Sequence, residues 1–173
     1  METRSWILIG MMGSGKSTVG RLLAETSVRE FLDTDQIIQY KFGRPINQIF
    51  NIYGEEAFRD YETSVLKGMS PSKNVIATGG GLILRPANWD ELRRLGIVIY
   101  LHSSPENLIQ RLEHSRKRRP LLEADNWQDR LRTILESRLS IYHQAEIQVT
   151  VDGMDKTEVV ASITKQIENY SSN

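Results

Sequence analysis

Residues 10 to 17 read Gly-Met-Met-Gly-Ser-Gly-Lys-Ser, a G-x-x-x-x-G-K-S spacing that follows directly on the apolar run Trp6-Ile7-Leu8-Ile9. A strand that ends in glycines and turns at once into a helix gathers backbone N–H donors at the positive end of the helix dipole, where phosphate oxygens fit. Gly10, Gly13 and Gly15 let the backbone curl there without Cβ clashes. Lys16, expected to be exposed when no ligand is bound, can reach β- and γ-phosphates, and Ser17 offers a hydroxyl to Mg²⁺. The nucleotide-binding candidates are therefore Gly13, Ser14, Gly15, Lys16, Ser17 and Thr18. A glycine-rich turn with a surface lysine is the other reading, and the flanking strand and helix speak against it.

The apolar pair Phe31-Leu32 opens onto Asp33-Thr34-Asp35, so two carboxylates leave a strand at the edge that holds the phosphate loop. A carboxylate there can bind Mg²⁺ through water or accept a proton from a substrate hydroxyl, and two can divide these tasks. Asp33, nearer the strand, is expected to face the loop and its metal, and Asp35 the acceptor. Helix capping is the structural alternative, since Asp is favoured at the N-cap and in the first turn. Farther on, Arg59 and Glu62 stand three apart on a helix whose apolar stripe is Phe58, Tyr61 and Val65. They can meet, and as a surface pair they would contribute only about 0.2–0.5 kcal/mol.

Three more stretches carry candidate chemistry. Arg138 falls within the stripe Leu131, Ile134, Leu135, Leu139 and Tyr142, so it points inward and needs an anion, either a substrate carboxylate or phosphate or a structural acid. Thr78-Gly79-Gly80-Gly81 ends a strand with three glycines, suited to close backbone approach of a ligand, or else to a flexible turn. Arg116-Lys117-Arg118-Arg119-Pro120-Leu121-Leu122 concentrates positive charge, either as a solvated or targeting patch or as a lid that brings an arginine onto a transferring phosphoryl group. Arg111, at the end of the preceding helix, can lie against a purine ring.

Short apolar runs alternate with longer helical patterns, which predicts an α/β protein with a parallel sheet and helices on both faces. The expected strands are 6–9, 31–32, 75–78, 97–101 and 147–151. The expected helices are 16–25, 35–42, 46–52, 55–68, 87–95, 105–113, 127–144 and 156–169, with end signals at Ser104-Pro105, Gly96 and Asp155 to Glu158. The segments 34–70 and 114–126 break the plain alternation over the carboxyl ends of the strands, where substrate grips and lids sit.

The chain has 173 residues, with 22 Lys plus Arg balanced by 22 Asp plus Glu, so no global field recruits nucleic acid or an anionic membrane. It has no cysteine, which excludes disulfides, thiolate metal sites and a cysteine nucleophile. The run before the first glycines is too short for a signal segment or a membrane span, so a cytoplasmic protein is expected.

Taken in order, these pieces resemble the shikimate kinase family, within the nucleoside-monophosphate-kinase-like group of P-loop kinases. They are Gly10 to Thr18 with Gly20 to Ala24, Phe31 to Asp35, Ile46 with Ile49-Phe50, Gly54-Glu55 with Phe58-Arg59 and Glu62, Gly79 to Gly81, Arg119 to Leu122, and Arg138 with Tyr142. The resemblance implies one P-loop kinase domain over 1–173, three-layered around a five-stranded parallel sheet, with a substrate-binding segment at about 34–62 and a lid at about 112–125. It implies transfer of the γ-phosphoryl of ATP to the 3-hydroxyl of shikimate, on the way to chorismate and the aromatic amino acids, by a monomer that uses Mg²⁺. On that pattern Lys16, Asp35 and Arg119 are catalytic, and Asp35, Arg59, Gly79, Gly80, Gly81 and Arg138 hold shikimate. Ser17 and Asp33 serve the metal, and Arg111, Arg119 and Met154 join the loop at the nucleotide. Two departures stand out: Gln39 where the family often has Glu, and no glycine in the residues before Phe31, where one is frequent. A gluconate or nucleoside monophosphate kinase would share the loop without the Asp-x-Asp, Arg59, triple-glycine and Arg138 set. A GTPase would carry an Asn/Thr-Lys-x-Asp motif, which is missing. A non-catalytic P-loop protein would not need all these charged residues.

Overall fold

The computed structural model describes residues 4–114 and 126–172. Its strands are β1 Ser5–Ile9, β2 Glu30–Asp33, β3 Asn74–Ala77, β4 Gly96–His102 and β5 Ile147–Thr150. They form one sheet in the order β2-β3-β1-β4-β5, with every neighbouring pair parallel. Parallel strands cannot be joined by tight turns, so each crossover carries helical structure, and both faces of the sheet are covered. The helices are α1 Lys16–Thr26, α2 Thr34–Phe42, α3 Ile46–Gly68, α4 Pro86–Leu95, α5 Pro105–Glu113, α6 Trp127–Tyr142 and α7 Lys156–Ser171.

Alternation along β1 splits the core in two. Ile7 and Ile9 pack with Ile76, Val98 and Tyr100 against Trp89 and Leu92 of α4, Leu108 of α5 and Leu131 of α6. Leu8, between them, faces the other way and packs with Val75, Ile99 and Leu101 against Val19 and Leu23 of α1 and Val159 and Ile163 of α7. The period of two thus puts one helical layer on each face of the sheet. A third cluster, Ile38, Ile49 and Phe58 with Phe42, Phe50 and Tyr61 around it, holds α2 to α3 beside the sheet.

The expected end signals work as read. Ser104 caps α5 through its hydroxyl, Asp155 and Glu158 form a reciprocal capping box on α7, and Gly96 closes α4. Most element ends lie within one or two residues of expectation, and several differences are informative. α2 starts at Thr34 because Asp33 caps it. The two helices expected at 46–52 and 55–68 both form within α3 and are parted, as expected, at Gly54, whose φ of 81° and ψ of 170° are not helical. A 3₁₀ turn, Leu82–Leu84, follows the glycine run and was not expected. α6 ends at Tyr142, two residues early, where the His143 and Gln144 amides already bond back to Leu139 and Ile141. The lid expected at 112–125 falls mainly on residues 115–125, outside the described residues.

Candidate active site

The carboxyl ends of β1, β2 and β3 open on one cleft of about 820 Å³, to which Lys16, Asp35, Arg59, Gly81, Arg111 and Arg138 all contribute. β1 delivers the chain into the loop at Gly10, and Gly15 then serves as N-cap of α1 in the left-handed conformation (φ 95°), a backbone state that an L side chain resists. No side chain caps α1, so the amide donors of its first turn are left for a ligand. Lys16 corrects one expectation: it is buried, and its Nζ donates to the carbonyls of Gly10 at 2.8 Å and Met11 at 3.1 Å. The loop wraps its own ammonium, which places that charge at the centre of the loop, where phosphate oxygens would come.

Asp33 caps α2, as the structural alternative had it, and also faces the phosphate loop. Its Oδ1 accepts from the amides of Asp35 and Gln36, capping α2, and its Oδ2 accepts from the Ser17 hydroxyl at 2.7 Å. Ser17 and Asp33 thus bring two hard oxygen donors together beside the phosphate loop. That set fits Mg²⁺, which takes one or two protein oxygens and completes its octahedron with water and phosphate. Among the described residues no group of three or more His, Cys, Asp or Glu could hold a metal.

Across the cleft the Arg59 and Glu62 pair is not a surface pair. Arg59 is 6% exposed and Glu62 not at all; Arg59 Nη1 donates to Glu62 Oε2 at 2.6 Å, and Nη2 to Glu55 Oε1 at 3.0 Å. A Cβ placed on Gly79 would stand 2.6 Å from both Asp35 Oδ1 and Glu62 Oε1. Two carboxyl groups therefore converge over a residue that has to be glycine, and the Gly79 amide is fixed from below by the Thr34 hydroxyl at 2.9 Å. A Cβ on Gly81 would strike the Arg59 guanidinium, so this glycine too makes room for a functional side chain. Burial pushes the Glu62 carboxyl up to about 7 against the pull of Arg59, with the Asp35 charge adding to the rise. Burial also works against the Arg59 charge, but Glu62 and Glu55 outweigh it and raise the guanidinium above its ordinary value.

Arg138 points inward as its stripe required and is 6% exposed. Its Nη1 donates to the Gly80 carbonyl at 3.0 Å, and the Tyr142 hydroxyl, one turn later on α6, donates to the same oxygen at 3.4 Å. A backbone carbonyl offers no charge, and the carboxyl that acts electrostatically on this buried cation is that of Glu62. On the opposite wall Arg111 donates to the carbonyls of Ser14 and Val151, both at 3.4 Å.

A phosphate loop, a hydroxyl-carboxylate pair and a second pocket with two buried guanidinium groups and two carboxyl groups together suit transfer of a phosphoryl group to a small anionic polyol. The protein-family model described as shikimate kinase matches residues 12–168. The chain belongs to the shikimate kinase family. Curated shikimate kinases agree: one from Thermodesulfovibrio yellowstonii is 37% identical over 166 residues, covering 95% of each chain. One from a Synechococcus species is 44% identical over 161 residues, covering 92% of this chain and 82% of its own. In solved structures, a shikimate kinase from Acinetobacter baumannii in complex with shikimate superimposes with a TM-score of 0.92 at 38% identity, covering 98% of this chain and 96% of that one.

Among the residues that the shikimate kinase resemblance singled out, Gly13, Gly15, Lys16, Ser17, Thr18, Asp33, Asp35, Arg59, Gly79 to Gly81, Arg111 and Arg138 meet in the cleft. Ser14 stands outside the cleft lining: it is fully buried, and its carbonyl accepts from the Arg111 guanidinium. Met154 also stands outside the lining, 39% exposed on the loop after β5. Arg119 lies outside the described residues. Glu62 was read as the partner of Arg59, and it also lines the cleft itself. Its place one turn after Phe58, at the edge of the buried stripe, was the signal available.

Proposed function

We propose that this protein is an ATP-dependent shikimate kinase that phosphorylates the 3-hydroxyl of shikimate, in the route to chorismate and the aromatic amino acids. The observation that carries the reading is the single strand edge on which the phosphate loop faces the Asp35, Arg59, Gly79 and Arg138 pocket. Amides of the loop and the α1 N-terminus bind the β- and γ-phosphates, and Lys16 turns from the Gly10 and Met11 carbonyls toward them. Arg59 and Arg138 hold the acceptor carboxylate, and the glycine run lets its ring lie against the backbone. Asp35 accepts the hydroxyl proton as the hydroxyl oxygen bonds to the γ-phosphorus and the bond to the bridging oxygen breaks, that oxygen leaving on ADP with the electron pair. Ser17 and Asp33 would hold a Mg²⁺, which would supply charge neutralisation at the phosphates. Arg119 is assigned to the phosphates, and Arg111 and the Met154 loop to the nucleotide base. The protein acts as one domain and as a cytoplasmic monomer in this reading; no helix among the described residues is long and apolar enough to cross a membrane.

The test is ADP release with ATP and Mg²⁺ in the presence of shikimate, gluconate or AMP. Release that depends on shikimate alone is the expected result. Faster release with gluconate or AMP would overturn the assignment of the acceptor.

A further inference from the structure

We propose that Asp152 is a positioning residue for the nucleotide: its carboxylate ties the loop after β5 to the N-terminus of α5 and so sets Arg111 against the phosphate loop. Oδ1 accepts from the Ser103 hydroxyl and from Asn107 Nδ2, both at 2.6 Å, and Oδ2 accepts from the Ser104 amide at 2.9 Å. All three donors belong to the turn between β4 and α5 or to the first turn of α5. The bonds are short and charge-assisted, and the carboxylate sits at the positive end of the helix dipole. Burial works against its charge, yet the hydrogen bonds from Ser103, Ser104 and Asn107 hold it well below the usual carboxylate range, so it stays ionised at any working pH.

The other end of the same helix carries Arg111, whose guanidinium bonds to Val151, the residue just before Asp152, and to Ser14 of the phosphate loop. Val151 in turn donates its amide to the His102 carbonyl at 2.9 Å. α5 is thus pinned at both ends to one loop, and the closed ring includes a side chain that lines the cleft. The acceptor pocket is built from α2, α3, α6 and the end of β3, and no member of the ring belongs to it. Loosening Asp152 should therefore weaken the nucleotide side and spare the acceptor side.

The inference rests on the cleft being an ATP site, and the experiment separates the two. Asp152→Asn keeps the size of the side chain and removes its charge. ADP affinity by calorimetry, with no acceptor present, and the KM for ATP should both weaken about 10-fold, the range for losing a hydrogen bond to a charged group. The KM for shikimate and kcat should stay within about twofold, and adding Arg111→Ala should cost less than it does alone, because the two act through one contact. If Asp152→Asn fails to fold, Ser103→Ala, which deletes one donor, should show the same split on a smaller scale. Unchanged ADP affinity, equal rises in both KM values together with a lowered Tm, or strictly additive variants would each overturn the proposal. A wild-type protein that does not bind ADP would sink the nucleotide reading itself, and the inference with it.

Discussion

Replacing Glu62 with Gln removes a carboxyl that burial keeps protonated toward neutrality, so its effect on stability should depend on pH. In the unfolded chain this group titrates at its ordinary 4.5, and in the folded protein at about 7. Between those values the folded protein holds a proton that the unfolded chain has released, so stability falls as pH rises. The contribution is whole below 4.5 and gone above 7. Each unit of separation is worth about 1.4 kcal/mol, so on the order of 3 kcal/mol is lost across the window. Gln has nearly the same shape, never ionises, and lacks this dependence. Urea unfolding of both proteins at intervals from pH 5 to 8 measures the wild-type minus variant difference, in which His102, His114 and His143, common to both, cancel. That difference should shift against the wild type by about 3 kcal/mol as pH rises to 7 and then level off. A flat difference, or one that grows in favour of the wild type, would show that Arg59 keeps Glu62 ionised and that desolvation is the lesser effect.

Asp35→Asn should lower kcat by about 10²–10⁴-fold with nucleotide binding retained, since an amide cannot take the hydroxyl proton. Asp33→Asn should instead raise the Mg²⁺ requirement; because Asn caps a helix as well as Asp, α2 should be spared, and an exchange of the two phenotypes would refute the division of labour. Arg138→Ala should raise the KM for shikimate by a factor equivalent to about 2–5 kcal/mol while leaving ATP affinity intact, and a loss of Tm with no KM effect would mark a structural role. Val28→Gly should stabilise by about 0.5–1 kcal/mol, or about 1–4 °C in Tm, by removing a β-branched residue from a left-handed conformation. Val28 has φ 52° and is 90% exposed, so little packing is lost, and a lowered Tm would count against the strain argument.

Much of this could be read from residue order because the relevant signals are local. A buried parallel strand is an uninterrupted apolar run, and Ile7 to Ile9, Val75 to Ala77 and Ile97 to Leu101 are such runs. Caps are local as well, which is why Ser104, Asp155 and the break at Gly54 were legible. The absence of glycine before Phe31 acquires its meaning in Val28, the only non-glycine residue at positive φ among the described residues. What escaped depends on distant partners. Asp152 finds its donors 45 to 49 positions back along the chain, and no spacing announces that. The burial of Lys16 and Glu62 follows from how the phosphate loop and α3 close over them. The 3₁₀ turn at Leu82–Leu84 is too short to show a period, and it is held from α4, where Asn88 and Trp89 donate to the carbonyls of Leu82 and Ile83.

β1 is made before the strands that flank it and is the central one in the sheet. Its partners are β3 and β4, so Ile7 lies beside Ile76 on one side and Val98 on the other. β3 is made only as synthesis nears the middle of the chain and β4 only after it, and at about 5–20 residues per second that is a wait of several seconds. Until then the apolar run Trp6 to Ile9 has both edges unpaired and must be kept from other chains by the tunnel, a chaperone or transient contacts with α1. Because the phosphate loop begins where β1 ends, the nucleotide site cannot take shape before that wait is over. ATP is thus a ligand for a chain that already holds β3 and β4 and gives no help to an earlier one, and polar substitutions that shorten the apolar run should change the yield of folded protein before they change its turnover.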